Sequence, residues 1–422
     1  MSQTGVWRYE TRLMAVLCLM FGFVFFDRNA MSYLGNFVQP ELGLTNTQVG
    51  MLSSGLSFAW ALSGLAIGFY SDRSGKRKSV LLITVVIFSL CSVLSGLATS
   101  FAMLLAARML MGLAEGGILP IAQSLVALES DPKRRGLNMG VMQNLGSNLI
   151  GSSVAPIVLV ALAAAYGWRS SFFVAAVPGL VCAVLIWLFV REPTRQVVAA
   201  IGQKVGGADV TAEAGPMSVG QILRFRNIWL CIGMSCFMVA WMVLGWVFLP
   251  LVYANLLHIE ATTGSWLMAL LGISAAVFAF IVPGLSDKFG RKPVMIVFTL
   301  IGVIYPLAAL HYSGSLVALG TLIFIGWSAS GVFPIFMATI PSETIPSKYV
   351  ATALGLVMGL GEIVGGTIGP TLAGHFADVY GLQAPLYMAI VCAAVATVFT
   401  LFLKETAPVK VGAGQVAASA AA

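Results

Sequence analysis

Charge is what this sequence has least of: 9% of its 422 residues are Asp, Glu, Lys or Arg, against 59% that are hydrophobic. A soluble globular chain carries about 25% charged residues, because its surface has to be solvated. So low a content excludes an ordinary soluble enzyme, and so high an apolar share excludes a disordered chain. Cysteine is sparse too. The six present (Cys18, Cys91, Cys182, Cys231, Cys236 and Cys392) lie in apolar runs with no CxxC spacing. A disulfide scaffold and a thiolate metal box fail on spacing, and the thiols read as small buried hydrophobes. The three histidines, His258, His311 and His375, have no metal-ligand partner at helical spacing, and no phosphate loop follows a strand. No enzymatic activity and no cofactor are therefore expected. Lipid has to solvate most of a chain with a mean hydropathy of +0.95, which makes this an all-α integral membrane protein.

What the chain has in abundance is long apolar runs. A helix needs about 20 residues to cross the hydrocarbon core. The runs predict twelve spans, near 13–37, 48–70, 79–99, 102–126, 137–165, 169–190, 228–254, 262–284, 293–311, 315–340, 350–376 and 384–403. With an even number of spans both termini share a side, and of the 23 Lys and Arg all but Arg28, Arg108 and Arg169 fall at the termini or in the loops on that side. By the positive-inside rule both termini are cytoplasmic, and the multi-pass chain is expected in the inner membrane. The net charge of +7 is then a topology signal directed at anionic headgroups, and not a nucleic-acid surface. The first run has no small-residue cleavage site before Asp27-Arg28, so no signal peptide is expected. Domains are expected at 1–191 and 225–406, two six-helix bundles, joined by a cytoplasmic linker at 192–224 and followed by a disordered tail at 407–422.

The halves repeat each other. At an offset of 214 residues Gly117 meets Gly331, Pro120 meets Pro334, Glu129 meets Glu343, Pro132 meets Pro346, Gly151 meets Gly365 and Pro156 meets Pro370. Two six-span halves in the same orientation are parallel repeats, for which a substrate site is expected between the halves near midplane. The segment Gly68-Phe69-Tyr70-Ser71-Asp72-Arg73-Ser74-Gly75-Lys76-Arg77 resembles the cytoplasmic loop signature of the major facilitator superfamily. Gly284 to Lys292 is its second copy, with the leading glycine displaced by one position and Pro283 in its place. Glycines allow the tight turn, and the carboxylate can meet a neighbouring helix end or base. Gating is therefore assigned to Gly68, Asp72, Arg73, Gly75 and Arg77, to Asp287, Gly290 and Arg291, and to Glu129, Arg135 and Glu343 in the adjoining loops. The resemblance implies the twelve-helix major facilitator fold.

Five ionisable residues sit well inside spans: Asp27, Arg28, Arg108, Glu115 and Glu362. At the bilayer centre each costs about 2.5–3.5 kcal/mol even on a lenient scale, so each needs a partner or water. Arg108 and Glu115 are two turns apart on one face, and Asp27 and Arg28 point about 100° apart toward different neighbours. Interhelical ion pairs alone would account for these four; an alternating transporter would also use them. In the repeat Asp27 and Arg28 map to Trp241 and Met242, and Arg108 and Glu115 to Leu322 and Ala329, whereas Glu362 meets Asn148. A site charged in one half suits a substrate with one anionic end. Arg28 is the natural anchor, since a guanidinium binds a carboxylate in bidentate fashion. Asp27 or Glu115, withdrawn from water, is a natural proton carrier.

Phe26-Asp27-Arg28-Asn29-Ala30-Met31-Ser32 further resembles the DRxxxS first helix of the anion:cation symporter family, and Arg108-x6-Glu115 resembles its fourth helix. That family includes carriers of sugar acids, glutamate and sialic acid. The resemblance implies proton-coupled uptake of an organic monocarboxylate, with Arg28 on the substrate carboxylate, Asp27 and Glu115 exchanging protons, and Arg108 modulating Glu115. This chain lacks the helix-seven arginine that some members carry. Gln143, Asn144 and Asn148 in the fifth span, Glu362 in the eleventh, and the aromatic side chains of Tyr33 and Trp241 complete the expected substrate site; amides suit a sugar acid, an aromatic lining an aromatic acid. The expected partners are a small organic carboxylate, protons and the bilayer, with the chain a monomer and no nucleic acid bound. The alternatives are an antiporter or exporter and a transporter-like sensor. Against a drug exporter, Pro156 stands in none of the GPxxGG-like context that such proteins carry. Against an organophosphate exchanger, Met242 occupies the place of a second base.

Overall fold

The computed structural model describes residues 3–130, 135–192, 219–312, 314–346 and 349–411. Twelve membrane-length helices run through them. Those named α1 (Tyr9–Leu42), α3 (Arg77–Gly96), α4 (Phe101–Val126), α5 (Asn138–Tyr166) and α6 (Trp168–Phe189) belong to the first half. The second half holds α7 (Arg226–Leu256), α8 (Ala261–Phe289), α9 (Arg291–Leu310), α10 (Leu316–Thr344), α11 (Thr352–Tyr380) and α12 (Ala384–Leu401). The 29-residue helix Asn46–Ser74, α2, completes the set. The expected linker at 192–224 lies mostly, and the tail beyond Val411 wholly, outside the described residues.

The chain divides into two compact units: Met1–Gly43 with Gly55–Gly215, and Leu44–Ser54 with Pro216–Ala422. The split differs from a clean cut after the sixth span, because the first turns of α2 count with the second unit. There the Asp378 carboxylate of α11 accepts from the Asn46 and Thr47 amides at 2.8 and 2.9 Å. A free helix N-terminus has four unpaired amides, and this carboxylate meets two of them from another helix.

Apolar side chains such as Leu62, Ile83, Trp187 and Val317 are exposed on the outside of the helices, where lipid replaces water. Inside the first unit, α1 and α5 approach through glycine. A Cβ on Gly146 would stand 2.2 Å from the Cys18 carbonyl oxygen, and one on Gly151 would stand 2.4 Å from Phe25 Cβ. Packing of small residues substitutes for the hydrophobic effect, which is weak between helices already in lipid. Arg169 pairs with Glu41, whose other oxygen accepts from the Trp168 indole at 2.6 Å.

Regular α geometry fails where the unusual residues stand. α1 is interrupted at Asn29, between Gln3–Arg28 and Ala30–Leu42. α4 breaks at Gly116–Gly117, directly after Glu115. The run Val141–Val154 of α5 is π-helical, as is Glu362–Ile368 of α11. In α10 a 3-10 turn, Ser328–Val332, sits at the repeat position of the α4 break. Such departures free backbone groups and redirect side chains, and they concentrate at functional sites.

Candidate functional site

The interruption at Asn29 fixes the geometry of the first unit's centre. The Ser32 amide donates to the Asn29 carbonyl at 3.0 Å. The Arg28 carbonyl is left for another donor, and Arg108 Nη2 of α4 reaches it at 2.5 Å. Arg108 also points Nη1 at Met111 Sδ, 3.3 Å away. The two residues that precede the break diverge as adjacent helical positions must. Arg28 turns to α4 and α2, and Asp27 turns to α3.

Arg28 Nη1 lies 2.7 Å from Glu115 Oε1, with side-chain exposures of 16% and 3%. Its guanidinium also sits 5.4 Å from the Trp60 ring and 5.8 Å from that of Phe25. Weakly hydrated guanidinium stacks well on aromatic faces, so these rings hold the cation by its flat face. Asp27 is fully buried and accepts from the Ser92 hydroxyl at 2.7 Å. Arg108 is 3% exposed, so of the four charged groups Arg28 is the one with appreciable access. Three buried polar atoms in this cluster have no hydrogen-bond partner among the described residues: Asp27 Oδ2, Glu115 Oε2 and Arg108 Nε. Native proteins leave few such atoms, and each calls for an explanation.

One expectation is refined. Arg108 and Glu115 do share a face, but the nearest base to Glu115 is Arg28, and Arg108 grips the Arg28 backbone instead. Ser92 and Trp60 escaped sequence reasoning. Hydropathy is indifferent to a serine in an apolar span, and the spacing Ser89, Ser92, Ser95 on α3 does not show which of them leaves its own helix.

The remaining candidates are distributed. Tyr33 is 2% exposed, and its hydroxyl donates to the Gly151 carbonyl at 3.2 Å, so it ties α1 to α5. In the π segment, the Gln143 carboxamide oxygen accepts from Gln123 Nε2 at 3.4 Å. Asn144 and Asn148 are half-buried. In the second unit, Trp241 is fully buried and its indole donates to the Gly302 carbonyl at 2.9 Å. It stacks on Trp327, centroids 4.9 Å apart, with Tyr305 edge-on at 5.1 Å. A large ring in the position homologous to Asp27 has become the second unit's core. Glu362 is half-buried at the start of its π segment, against Gly366.

Of the gating candidates, the second copy forms a described network around Arg291. Arg291 donates to Asp287 and to both oxygens of Glu343, Nη2 to Oε1 at 2.8 Å and Nε to Oε2 at 3.4 Å. It also reaches Ser286 Oγ at 2.7 Å. In the first copy Arg77 Nε donates to Ser124 Oγ at 3.0 Å, and Arg73 is exposed. Gly75 and Gly290 have φ of 69° and 103°, values that a side chain would strain. The environments of Gly68, Asp72 and Arg135 lie outside the described residues. Glu129 is half-buried, and desolvation raises its carboxyl above the ordinary range, with Arg191 opposing.

Comparison with known proteins agrees with this architecture. Over 395 residues the chain is 25% identical to the probable sulfoacetate transporter SauU of Cupriavidus necator, covering 88% of each. It is 27% identical to the sialic acid transporter NanX of Escherichia coli over 388 residues, covering 89% of this chain and 90% of the relative. To the 4-hydroxybenzoate transporter PcaK of Pseudomonas putida it is 26% identical over 432 residues, covering 94% and 93%. Among solved structures, a bacterial homolog of the human lysosomal transporter Spinster superposes with a TM-score of 0.77 at 20% identity, covering 93% of this chain and 96% of that one. These relatives and neighbours are membrane transporters and not enzymes. The profile of the Major Facilitator Superfamily matches residues 16–249 and 230–420, and the chain belongs to that family of membrane transporters, with its twelve-helix, two-repeat fold.

Proposed function

We propose that this transporter takes up an organic monocarboxylate, a sugar acid or an aromatic acid, together with protons, by alternating access in the inner membrane. The observation that carries the reading is the Arg28–Glu115 pair at 2.7 Å, in which the one accessible guanidinium of the cluster is already occupied by a carboxylate. An incoming carboxylate has to compete with Glu115 for that guanidinium. Protonating Glu115 removes the competitor and frees Arg28 to bind in bidentate fashion.

Charge balance supports coupling. Asp27, Arg28, Arg108 and Glu115 sum to zero when all are ionised. A bound monocarboxylate alone would leave the buried cluster net negative, whereas a carboxylate with one proton restores neutrality. Desolvation makes net charge expensive here, so at least one proton accompanies each carboxylate. The names of the relatives, which denote transporters of sulfoacetate, sialic acid and 4-hydroxybenzoate, support an organic acid as the substrate. Asp27 is the second proton site in this reading. Gln143, Asn144 and Asn148 supply hydrogen bonds to the remainder of the substrate.

The test is uptake into proteoliposomes with an imposed pH gradient, using labelled sialic acid, glucuronate, 4-hydroxybenzoate and sulfoacetate as probes. Wild-type protein accumulates one of them above equilibrium when the outside is acidic. Glu115→Gln and Asp27→Asn abolish accumulation but retain exchange of labelled for unlabelled substrate. Accumulation by Glu115→Gln at the wild-type level would overturn the assignment. Efflux driven by an inward proton gradient would point to the exporter instead.

A further inference from the structure

A hydroxyl has one hydrogen, and Ser92 has two acceptors for it. Its Oγ lies 2.7 Å from Asp27 Oδ1 and 3.0 Å from the carbonyl oxygen of Phe172 on α6. The side chain is fully buried, so water does not complete the arrangement. Serines in membrane helices usually return their hydroxyl to a carbonyl of their own helix. Ser89 and Ser95, one turn to either side, do so, to Val85 and Cys91 at 2.9 Å each. Ser92, between them, bridges α1 and α6 instead. The second oxygen of Asp27 has no hydrogen-bond partner among the described residues, so among them Ser92 is the hydrogen-bonding contact through which this carboxyl meets the protein.

We infer that Ser92 is a positioning residue for proton binding at Asp27, its hydroxyl hydrogen turning from Asp27 to the Phe172 carbonyl when Asp27 becomes protonated. With Asp27 charged, Ser92 donates to Oδ1. When a proton arrives on Oδ1, the new O–H donates to Ser92 Oγ, and the serine hydrogen rotates about its Cβ–Oγ bond to Phe172. No other bond forms or breaks, and the carboxyl keeps a hydrogen bond in both states. An alanine here would leave a buried group unpaired in either state, which costs more than the bond itself contributes. The inference rests on the reading of Asp27 as a proton site.

The other groups around Asp27 do not discriminate between its two states through hydrogen bonds. From α4 come Arg108 and Glu115, of opposite sign, whose fields oppose each other at Asp27, and from α3 the Cys91 thiol. Arg28, next in its own helix, is engaged by Glu115. α6 contributes the Phe172 carbonyl, and α5 carries no ionisable side chain from Asn138 to Ala165.

The test is infrared difference spectroscopy of the purified full-length protein in nanodiscs, titrated with pH and needing no substrate. A protonated-carboxyl band lost in Asp27→Asn identifies Asp27. In Ser92→Ala that band is expected at higher frequency, because the O–H has lost its acceptor. Its titration midpoint is expected to move about half to one pH unit alkaline, because the charged form loses the stronger, charge-assisted bond. Ser92→Thr, which keeps a hydroxyl, restores both. Should the alanine variant fail to fold, Ser92→Cys, a weaker donor of similar size, is expected to give a shift of the same sign. An Asp27-dependent band with unchanged frequency and midpoint in Ser92→Ala overturns the role of Ser92 and leaves Asp27 as a proton site. Absence of any Asp27-dependent band overturns both, while proton-driven uptake through Glu115 still reads out on its own in the liposome assay.

Discussion

If Glu115 competes with the substrate for Arg28, its neutral isostere should bind carboxylates more tightly wherever the native glutamate is charged. Glu115→Gln keeps the volume and one acceptor oxygen toward Arg28 Nη1, replacing a charge-assisted hydrogen bond by a neutral one. The bond lost is worth roughly 1.5–3 kcal/mol and the one kept roughly 0.5–1.5 kcal/mol, a difference of about 1–2 kcal/mol. The ligand no longer has to overcome that difference, which corresponds to about a 5- to 30-fold fall in Kd. Arg28 is 16% exposed and Glu115 3%, so solvent screening reduces the gain less than at a surface pair. Titration calorimetry of purified protein with the responding acid, at several pH values, measures it. The wild type should weaken as pH rises, because in this account a proton has to accompany each carboxylate. The variant should bind tightly with a flatter profile. Equal affinities and parallel pH profiles would refute the competition and return the pair to a purely structural role.

Three further outcomes follow from the geometry. Arg28→Lys should lose most ligand-induced thermal stabilisation and Arg28→Ala all of it, since an ammonium cannot present the bidentate fork; stabilisation of Arg28→Ala by the same acid would remove Arg28 from the site. Trp241→Phe gives up the indole bond to Gly302 and part of the stack on Trp327, about 1–2 kcal/mol of stability, while ligand affinity stays unchanged; an affinity loss would put Trp241 against the substrate. Glu129 has its carboxyl raised by burial, so the folded state holds its proton more tightly than the unfolded chain. That group's contribution is complete below the unfolded carboxylate range and is lost as pH rises through the folded value. Glu129→Gln should therefore melt higher than wild type at neutral pH and equal to it in acid, and a difference that persists in acid would contradict the assignment.

Hydropathy and the positions of Gly and Pro made the spans and the repeat legible, because a bilayer demands about 20 apolar residues and close helix contacts demand small ones. The ionisable residues announced themselves for the same reason: nothing charged stays in a span without a partner. Partner choice was less accessible. Arg108 and Glu115 stand two turns apart on one helix face, which suggested a direct relation. The break at Asn29, however, exposes a carbonyl that draws Arg108 away and leaves Glu115 to Arg28. No periodicity reveals a released carbonyl. Ser92 was hidden because its role depends on which helix α3 faces, and Trp241 because a tryptophan at the position homologous to Asp27 reads equally as lining or as core. The association of residues 44–54 with the second unit depends on a trans cap from Asp378, some 330 residues away in sequence, beyond any local pattern.

The central claim is that a carboxylate on Arg28 and a proton on Glu115 arrive together. Calorimetric binding in two buffers of different ionisation enthalpy counts the protons taken up per ligand bound. At a pH where Glu115 is charged, the wild type should take up close to one proton from the buffer for each carboxylate, and Glu115→Gln close to none. Binding of the acid to wild-type protein with no proton uptake at any pH would contradict the account.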